Sequence, residues 1–125
     1  MVSKQFEWSL LALAQPAKIQ LGLFPDFANA ADELALSWEE ALEDTDLDAL
    51  PDDAKIAIKE LDDYMLSISG SDNAELWTSE SISSSVQWAK MRKIASKAVS
   101  ELGWVKSPPN KPSWAIYVQD DDIST

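Results

Sequence analysis

The chain has 125 residues and a formal net charge of −12, and it contains neither cysteine nor histidine. It therefore offers no disulfide, no thiolate or histidine-ligated zinc site and no imidazole for acid–base catalysis. The hydrophobic fraction of 46%, with six tryptophans, favours one folded domain over residues 1–125 instead of a disordered chain. The negative charge disfavours nucleic acid and membranes as direct partners and favours a basic protein.

The N-terminal quarter predicts two short helices, over residues 6–14 and 17–23, with Pro16 at the start of the second. Residues 1–8 lack the order of basic, apolar and small residues found in a signal peptide, and the apolar run 10–14 is too short to span a bilayer. We therefore expect a soluble, cytoplasmic protein.

An acidic segment, residues 32–63, holds thirteen carboxylates against two lysines. Its first half continues a helical pattern that begins near Asp26, which we expect to cap the helix. The apolar positions recur at steps of three and four: Phe27, Ala31, Leu34, Trp38 and Ala41 or Leu42. A second helix should start at Pro51 and end before Gly70, with a stripe of Ile58, Leu61, Tyr64 or Met65, and Ile68.

A further helix is predicted after the serine-rich stretch 79–85, which is typical of a loop or of stacked caps. Ser84 and Gln87 have the spacing of a capping box, and Gly103 should end the helix. Its stripe consists of Trp88, Met91, Ala95, Ala98 and Leu102. We expect the buried core to include Leu34, Trp38, Leu61, Met65, Met91 and Leu102.

The C-terminal segment, residues 104–125, is predicted to be extended because prolines interrupt residues 107–112 and residues 113–118 alternate in polarity. Its acidic end, Asp120 to Asp122, should be frayed. The predicted fold is mostly α, a single-domain bundle of four to five helices with an extended or single-strand C-terminal segment. The alternative is an α+β fold in which residues 113–118 pair with another strand.

The pattern Asp44-x-Asp46-x-Asp48 is similar to the opening of a calcium loop, in which alternate oxygens surround the cation. The sixth position is Ala49 instead of glycine, and the twelfth is Lys55 instead of glutamate. The pattern therefore favours a solvated connector. Because the sequence also has no glycine-rich phosphate loop and no serine–lysine motif, we expect no enzyme activity, no metal and no cofactor.

The charge is distributed unevenly. Residues 1–89 hold four basic and eighteen acidic residues, a net charge of −14, whereas residues 90–119 hold six basic residues and one acidic residue. One interpretation is internal neutralisation of the acidic helices by the basic one. The other leaves an acidic surface free for a cationic partner: Glu39, Glu40, Glu43, Asp44, Asp46 and Asp48. A second acidic group, Asp52, Asp53, Asp62 and Asp63, is an alternative contact surface.

Five of the six tryptophans divide into two groups. Trp38 and Trp88 lie on helical stripes and are expected in the core, whereas Trp77, Trp104 and Trp114 lie near helix breaks and are equally suited to core or contact. Trp114 and Tyr117 form an aromatic arm that we expect to contact a partner, because aromatic residues commonly anchor interfaces. The alternative is that this arm closes the helical bundle.

In size, charge and the acidic helical run 32–63, the chain resembles the small immunity proteins with which bacteria neutralise toxins. The resemblance implies a basic toxin domain as the partner, blocked by a tight, electrostatically steered complex. Two alternatives remain. One is a nucleic-acid mimic, which uses the same acids to inhibit a DNA- or RNA-binding protein, and the other is an adaptor domain in a larger assembly.

Overall fold

The computed structural model describes residues 3–110. Its six α-helices are α1 (Lys4–Leu13), α2 (Ala17–Gly22), α3 (Ala30–Glu43), α4 (Asp52–Ser67), α5 (Ser79–Ser84) and α6 (Val86–Glu101). Two 3₁₀ helices, Leu47–Ala49 and Ser71–Leu76, precede and follow α4, and residues 3–110 contain no strand. The predicted mostly α fold is confirmed, with more helices than the four to five expected. The residues of the alternative strand, 113–118, lie outside the described range.

The additional α-helix is α5, which forms in the serine-rich stretch where a loop or stacked caps were predicted. Thr78 caps it by accepting a hydrogen bond from the amide of Ser81. Ile82, which belongs to α5, is fully buried. A good cap and one buried apolar side chain therefore outweigh the moderate helix propensity of serine in this short element.

Helix α6 packs along α4 and against α1, which packs in turn against α3. Seven of the ten residues of α1 are buried, including Phe6, Leu10 and Leu13. Five of the six predicted core residues, all except Leu102, are also buried, as is Trp88. The prediction for Leu102 is wrong: as the C-cap residue of α6 it is only partly covered.

The predicted start of α3 is also wrong. Asn29, not Asp26, caps the helix, and its side-chain oxygen accepts hydrogen bonds from the amides of Ala31 and Asp32. A turn joins the Ala28 amide to the Pro25 carbonyl before the helix begins. Phe27 therefore falls outside the helical stripe and is 75% exposed.

Capping, proline and glycine residues mark the ends of α4 and the start of α6. Ser85 caps α6 through a hydrogen bond from the Trp88 amide, one residue after the predicted cap Ser84, which ends α5. Pro51 immediately precedes α4, and Gly70 follows it with a φ angle of +103°. That left-handed backbone is available to glycine without the steric cost that a Cβ atom brings.

The described part of the C-terminal segment, residues 104–110, has neither helix nor strand and runs back along α1. Trp104 packs edge-on against Phe6, and Gln15 Nε2 donates a hydrogen bond to the Ser107 carbonyl. Trp8 Nε1 donates to the Asn110 carbonyl. Trp114, Tyr117 and the acidic end lie outside the described residues. None of the helices within residues 3–110 is long and apolar enough to cross a membrane.

Candidate partner-binding groove

A groove separates α3 from α4. We define the α3–α4 groove by its lining: Asp32, Ala35, Trp38 and Glu39 from α3; Asp62, Met65 and Leu66 from α4; and Ser69, Gly70 and Trp77 from the chain that follows. Its volume is about 310 Å³. That value lies at the lower end of the roughly 300–1,000 Å³ typical of ligand sites. The groove is thus large enough for one or two side chains of a partner.

The groove has an acidic rim. Asp32 and Glu39 are seven residues apart on α3 and therefore lie on the same side of that helix, whereas Asp62 lies on α4. Asp32 and Glu39 are exposed and Asp62 is half-buried. Among the residues that the structure describes, no lysine or arginine lines this groove. Three carboxylates thus line a cavity to which residues 3–110 contribute no counter-ion.

The rest of the lining is largely apolar and aromatic. Trp38 is buried, and its indole N–H donates a 3.3 Å hydrogen bond to a carboxylate oxygen of Asp62. Trp77 is half-buried and packs edge-on against Trp88, with ring centres 5.6 Å apart. Leu66 is 61% exposed. The groove therefore combines negative charge with apolar surface, which is the combination that binds a long cationic side chain.

Hydrogen bonds hold Trp77 in place. Its indole N–H donates to the Ile68 carbonyl at 3.0 Å, and its own carbonyl accepts from Asn29 Nδ2 at 2.8 Å. Asn29 also donates to Asp32 at 3.1 Å, so the residue that caps α3 contacts two components of the groove. These contacts fix the end of the groove to the start of α3.

All six described acids of the predicted contact surface are exposed, but the structure does not place them on one face. Glu39 lines the α3–α4 groove, whereas Glu40 accepts a hydrogen bond from Gln5 of α1. Asp46 caps the first 3₁₀ helix, and Asp48 lies 4.0 Å from Lys55. The carboxylates of the other two, Glu43 and Asp44 at the end of α3, have no hydrogen-bond or ion-pair partner within residues 3–110.

The basic residues of α6 do not neutralise these acids by direct contact. Between described residues, every ion pair within 4.0 Å is formed by Lys55 or Lys59, with Asp48, Asp52 or Asp63. Lys90 instead lies over the Tyr64 ring, 4.7 Å from its centre. Among residues 3–110, no lysine or arginine therefore forms an ion pair with Asp32, Glu39 or Asp62 within 4.0 Å.

Arg92 of α6 has an internal structural role. One guanidinium nitrogen, Nη1, donates to the Ile82 carbonyl at 2.8 Å and to Gln20 at 3.2 Å, which joins α6 to α5 and α2. Partial burial lowers the pKa of Arg92 from its ordinary value, because desolvation disfavours the charged form.

The groove was not predicted from the sequence, because the predicted contact surface grouped acids that are close together along the chain. The spacing of Asp32 and Glu39 could have placed them on one side of α3, since seven residues make nearly two full turns. Asp62 and Trp77 join them only through the packing of separate chain segments, for which a single sequence carries no local signal. No group of three or more carboxylates within residues 3–110 is arranged to hold a metal ion.

The chain matches no protein-family model, no curated protein and no solved structure at a significant level.

Proposed function

We propose that this chain is a non-catalytic binding protein that captures a basic protein partner at the α3–α4 groove, as an immunity protein does with its toxin. The observation that carries the proposal is the groove itself, in which Asp32, Glu39 and Asp62 border an apolar lining to which residues 3–110 contribute no cation. A cationic partner side chain supplies the missing charge.

The acidic rim would act mainly on the rate of encounter. Carboxylates of one sign around a concave surface attract a basic protein from a distance and can raise association rates by about 10- to 1,000-fold. Exposed ion pairs contribute only about 0–1 kcal/mol each to stability. The charges would therefore orient the partner but would not alone hold it.

The apolar lining would supply the more durable contacts. An arginine or lysine inserted between Asp62 and Glu39 would lay its aliphatic stem against Met65 and Leu66 and its charged end near Trp77. Burial of such an anchor at the centre of an interface, with water excluded around it, is the usual source of tight binding. The partner surface expected here is therefore basic with at least one protruding cationic side chain.

The role as a toxin inhibitor is supported by the resemblance in size, charge and acidic helical run to immunity proteins. In this proposal the chain covers the catalytic cleft of a basic toxin, with its carboxylates in the places of substrate phosphates. The chain itself carries out no chemistry, since it has neither cysteine nor histidine and its carboxylates serve in recognition.

The proposal is tested by co-purification from the native cell followed by reconstitution from purified components. The proposed function predicts a stoichiometric complex with one basic toxic enzyme and loss of that enzyme's activity on binding. A DNA-processing enzyme as the partner, displaced by duplex DNA, would support nucleic-acid mimicry instead. A reconstituted complex in which the partner retains full activity would contradict inhibition and favour an adaptor role.

A further inference from the structure

A second cavity has the opposite charge. It lies where the loop after α1 and the start of residues 104–110 meet α6, and its polar and charged lining comes from Gln15, Arg92, Lys93, Ser96 and Lys106. We call it the basic pocket. Its volume is about 240 Å³. It is smaller than the roughly 300–1,000 Å³ of drug-sized ligand sites, so it suits a small ion or a small polar group.

Three cationic residues, Arg92, Lys93 and Lys106, line the basic pocket, and no carboxylate of residues 3–110 lines it. Lys93 has no hydrogen-bond or ion-pair partner within the described chain, and Lys106 donates only to the Ser96 hydroxyl, at 3.4 Å. Arg92 uses Nη1 for its two internal hydrogen bonds, so its Nε and Nη2 groups have no partner among residues 3–110. Several donors of these three cationic side chains therefore have no partner among residues 3–110.

The frame around these donors is built from buried contacts. Gln15 is buried, with 3% of its surface exposed. Its side chain donates hydrogen bonds to the Leu11 and Ser107 carbonyls and so fixes the segment that carries Lys106. Arg92 is fixed by α2 and α5. Ser96 donates to the Ala14 carbonyl at 3.4 Å. Since these groups are already ordered, a ligand would not have to order them on binding.

We propose that the basic pocket binds a phosphate dianion, either inorganic phosphate or the phosphate group of a small molecule. Three neighbouring positive charges repel one another, and a dianion relieves more of that repulsion than a monoanion does. The guanidinium edge formed by Nε and Nη2 matches two phosphate oxygens, and the lysines supply point charges to the others.

The chain's overall negative charge does not prevent such binding. At physiological ionic strength, interactions between exposed charges are largely screened beyond about 8 Å. An anion inside the basic pocket would therefore respond mainly to Arg92, Lys93 and Lys106, which line it, and much less to exposed acids that lie more than about 8 Å away. This inference is independent of the proposed function, because it uses different residues and does not require a protein partner.

Nuclear magnetic resonance titration of the full chain tests it, with sodium phosphate at a pH at which phosphate is a dianion and sodium chloride at equal ionic strength. Saturable shifts of the Gln15, Ser96 and Ser107 amides are expected with phosphate and not with chloride. Glycerol phosphate is titrated in parallel: tighter binding than inorganic phosphate assigns the pocket to a phosphorylated small molecule, and weaker binding assigns it to the free ion.

The decisive variant is Lys93→Ala/Lys106→Ala, which removes two exposed lysines. We expect it to weaken phosphate binding by about tenfold or more, from the loss of charge-assisted hydrogen bonds. The matched control is Lys4→Ala/Lys59→Ala, which removes the same charge outside the pocket and should leave binding within about twofold. Non-saturable shifts, or equal weakening by both variants, would overturn the proposal. Thermal unfolding monitored by circular dichroism checks that both variants are folded.

Discussion

The indole N–H of Trp38 donates a 3.3 Å hydrogen bond to a carboxylate oxygen of Asp62, which joins α3 to α4 across the floor of the α3–α4 groove. Trp38 is buried, whereas Asp62 is half-buried and borders the cavity. One carboxylate thus satisfies a core tryptophan and also contributes negative charge to the candidate binding surface.

These two roles of Asp62 can be separated by substitution. Asp62→Asn keeps an oxygen acceptor for Trp38 and removes the charge, so the free energy of unfolding should change by less than about 0.5 kcal/mol. Asp62→Ala removes the acceptor and should lower it by about 0.5–1.5 kcal/mol. Urea unfolding measures both values. Equal losses for the two variants would show that the carboxylate charge, and not the acceptor, stabilises Trp38.

Asn29 should stabilise both α3 and the groove. Asn29→Ala removes the cap and should lower the free energy of unfolding by about 0.5–2 kcal/mol. Asp26→Ala serves as the control, since Asp26 lies before the turn that precedes α3 and should change stability by less than about 0.5 kcal/mol. Chemical unfolding of the two variants distinguishes the caps. A larger loss for Asp26→Ala would contradict the observed start of the helix.

The buried faces of the helices could be predicted from the sequence more accurately than the residues that cap them. The apolar periodicity of α4 correctly predicted that Leu61 and Met65 are buried. Apolar residues at helical spacing lie on one face of a helix, and that face packs against the core. The choice between Asp26 and Asn29, or between Ser84 and Ser85, is a competition between nearby polar residues of similar capping ability. Tertiary packing decides such competitions, so local pattern alone locates the cap only approximately.

The groove was less predictable than the core for a related reason. The acidity of α3 and α4 is plain from the sequence, and Glu39 was among the predicted contact residues. Its juxtaposition with Asp62 and Trp77 depends on how three separate segments pack. The sequence thus predicted the chemistry of the surface but not which carboxylates share a cavity.

The core of α4 provides a quantitative test of the packing. Leu61 is fully buried, so Leu61→Ala should lower the free energy of unfolding by about 2–5 kcal/mol through lost burial and a residual cavity. Ile56, on the same helix, is 63% exposed, and Ile56→Ala should cost less than about 0.5 kcal/mol. Denaturant titration compares them. Similar losses at the two positions would mean that the buried face of α4 is assigned incorrectly.

Two glycines should respond oppositely to alanine. A Cβ atom added at either Gly22 or Gly70 meets no atom within 4 Å, so steric overlap with neighbours does not distinguish them. Gly22 ends α2, where alanine should raise the free energy of unfolding by about 0.5–1 kcal/mol. Gly70 has a φ angle of +103°, where alanine should lower it by about 1–2 kcal/mol. Thermal unfolding measures both, and a stabilising Gly70→Ala would contradict the left-handed turn.

The central claim, capture of a basic partner at the α3–α4 groove, is tested most directly by the association rate with the purified partner, measured by stopped flow over a range of salt concentrations. The test variant is Asp32→Asn/Glu39→Gln/Asp62→Asn, and the charge-matched control is Glu7→Gln/Glu60→Gln/Glu101→Gln, whose three acids are exposed outside the groove. We predict that at low salt the test variant associates at least about tenfold more slowly than the wild type, and that its association rate depends less on salt. The association rate of the control should stay much closer to that of the wild type. A rate that is insensitive to salt, or that falls equally in both variants, would contradict capture at the groove and direct attention to Trp114 and Tyr117.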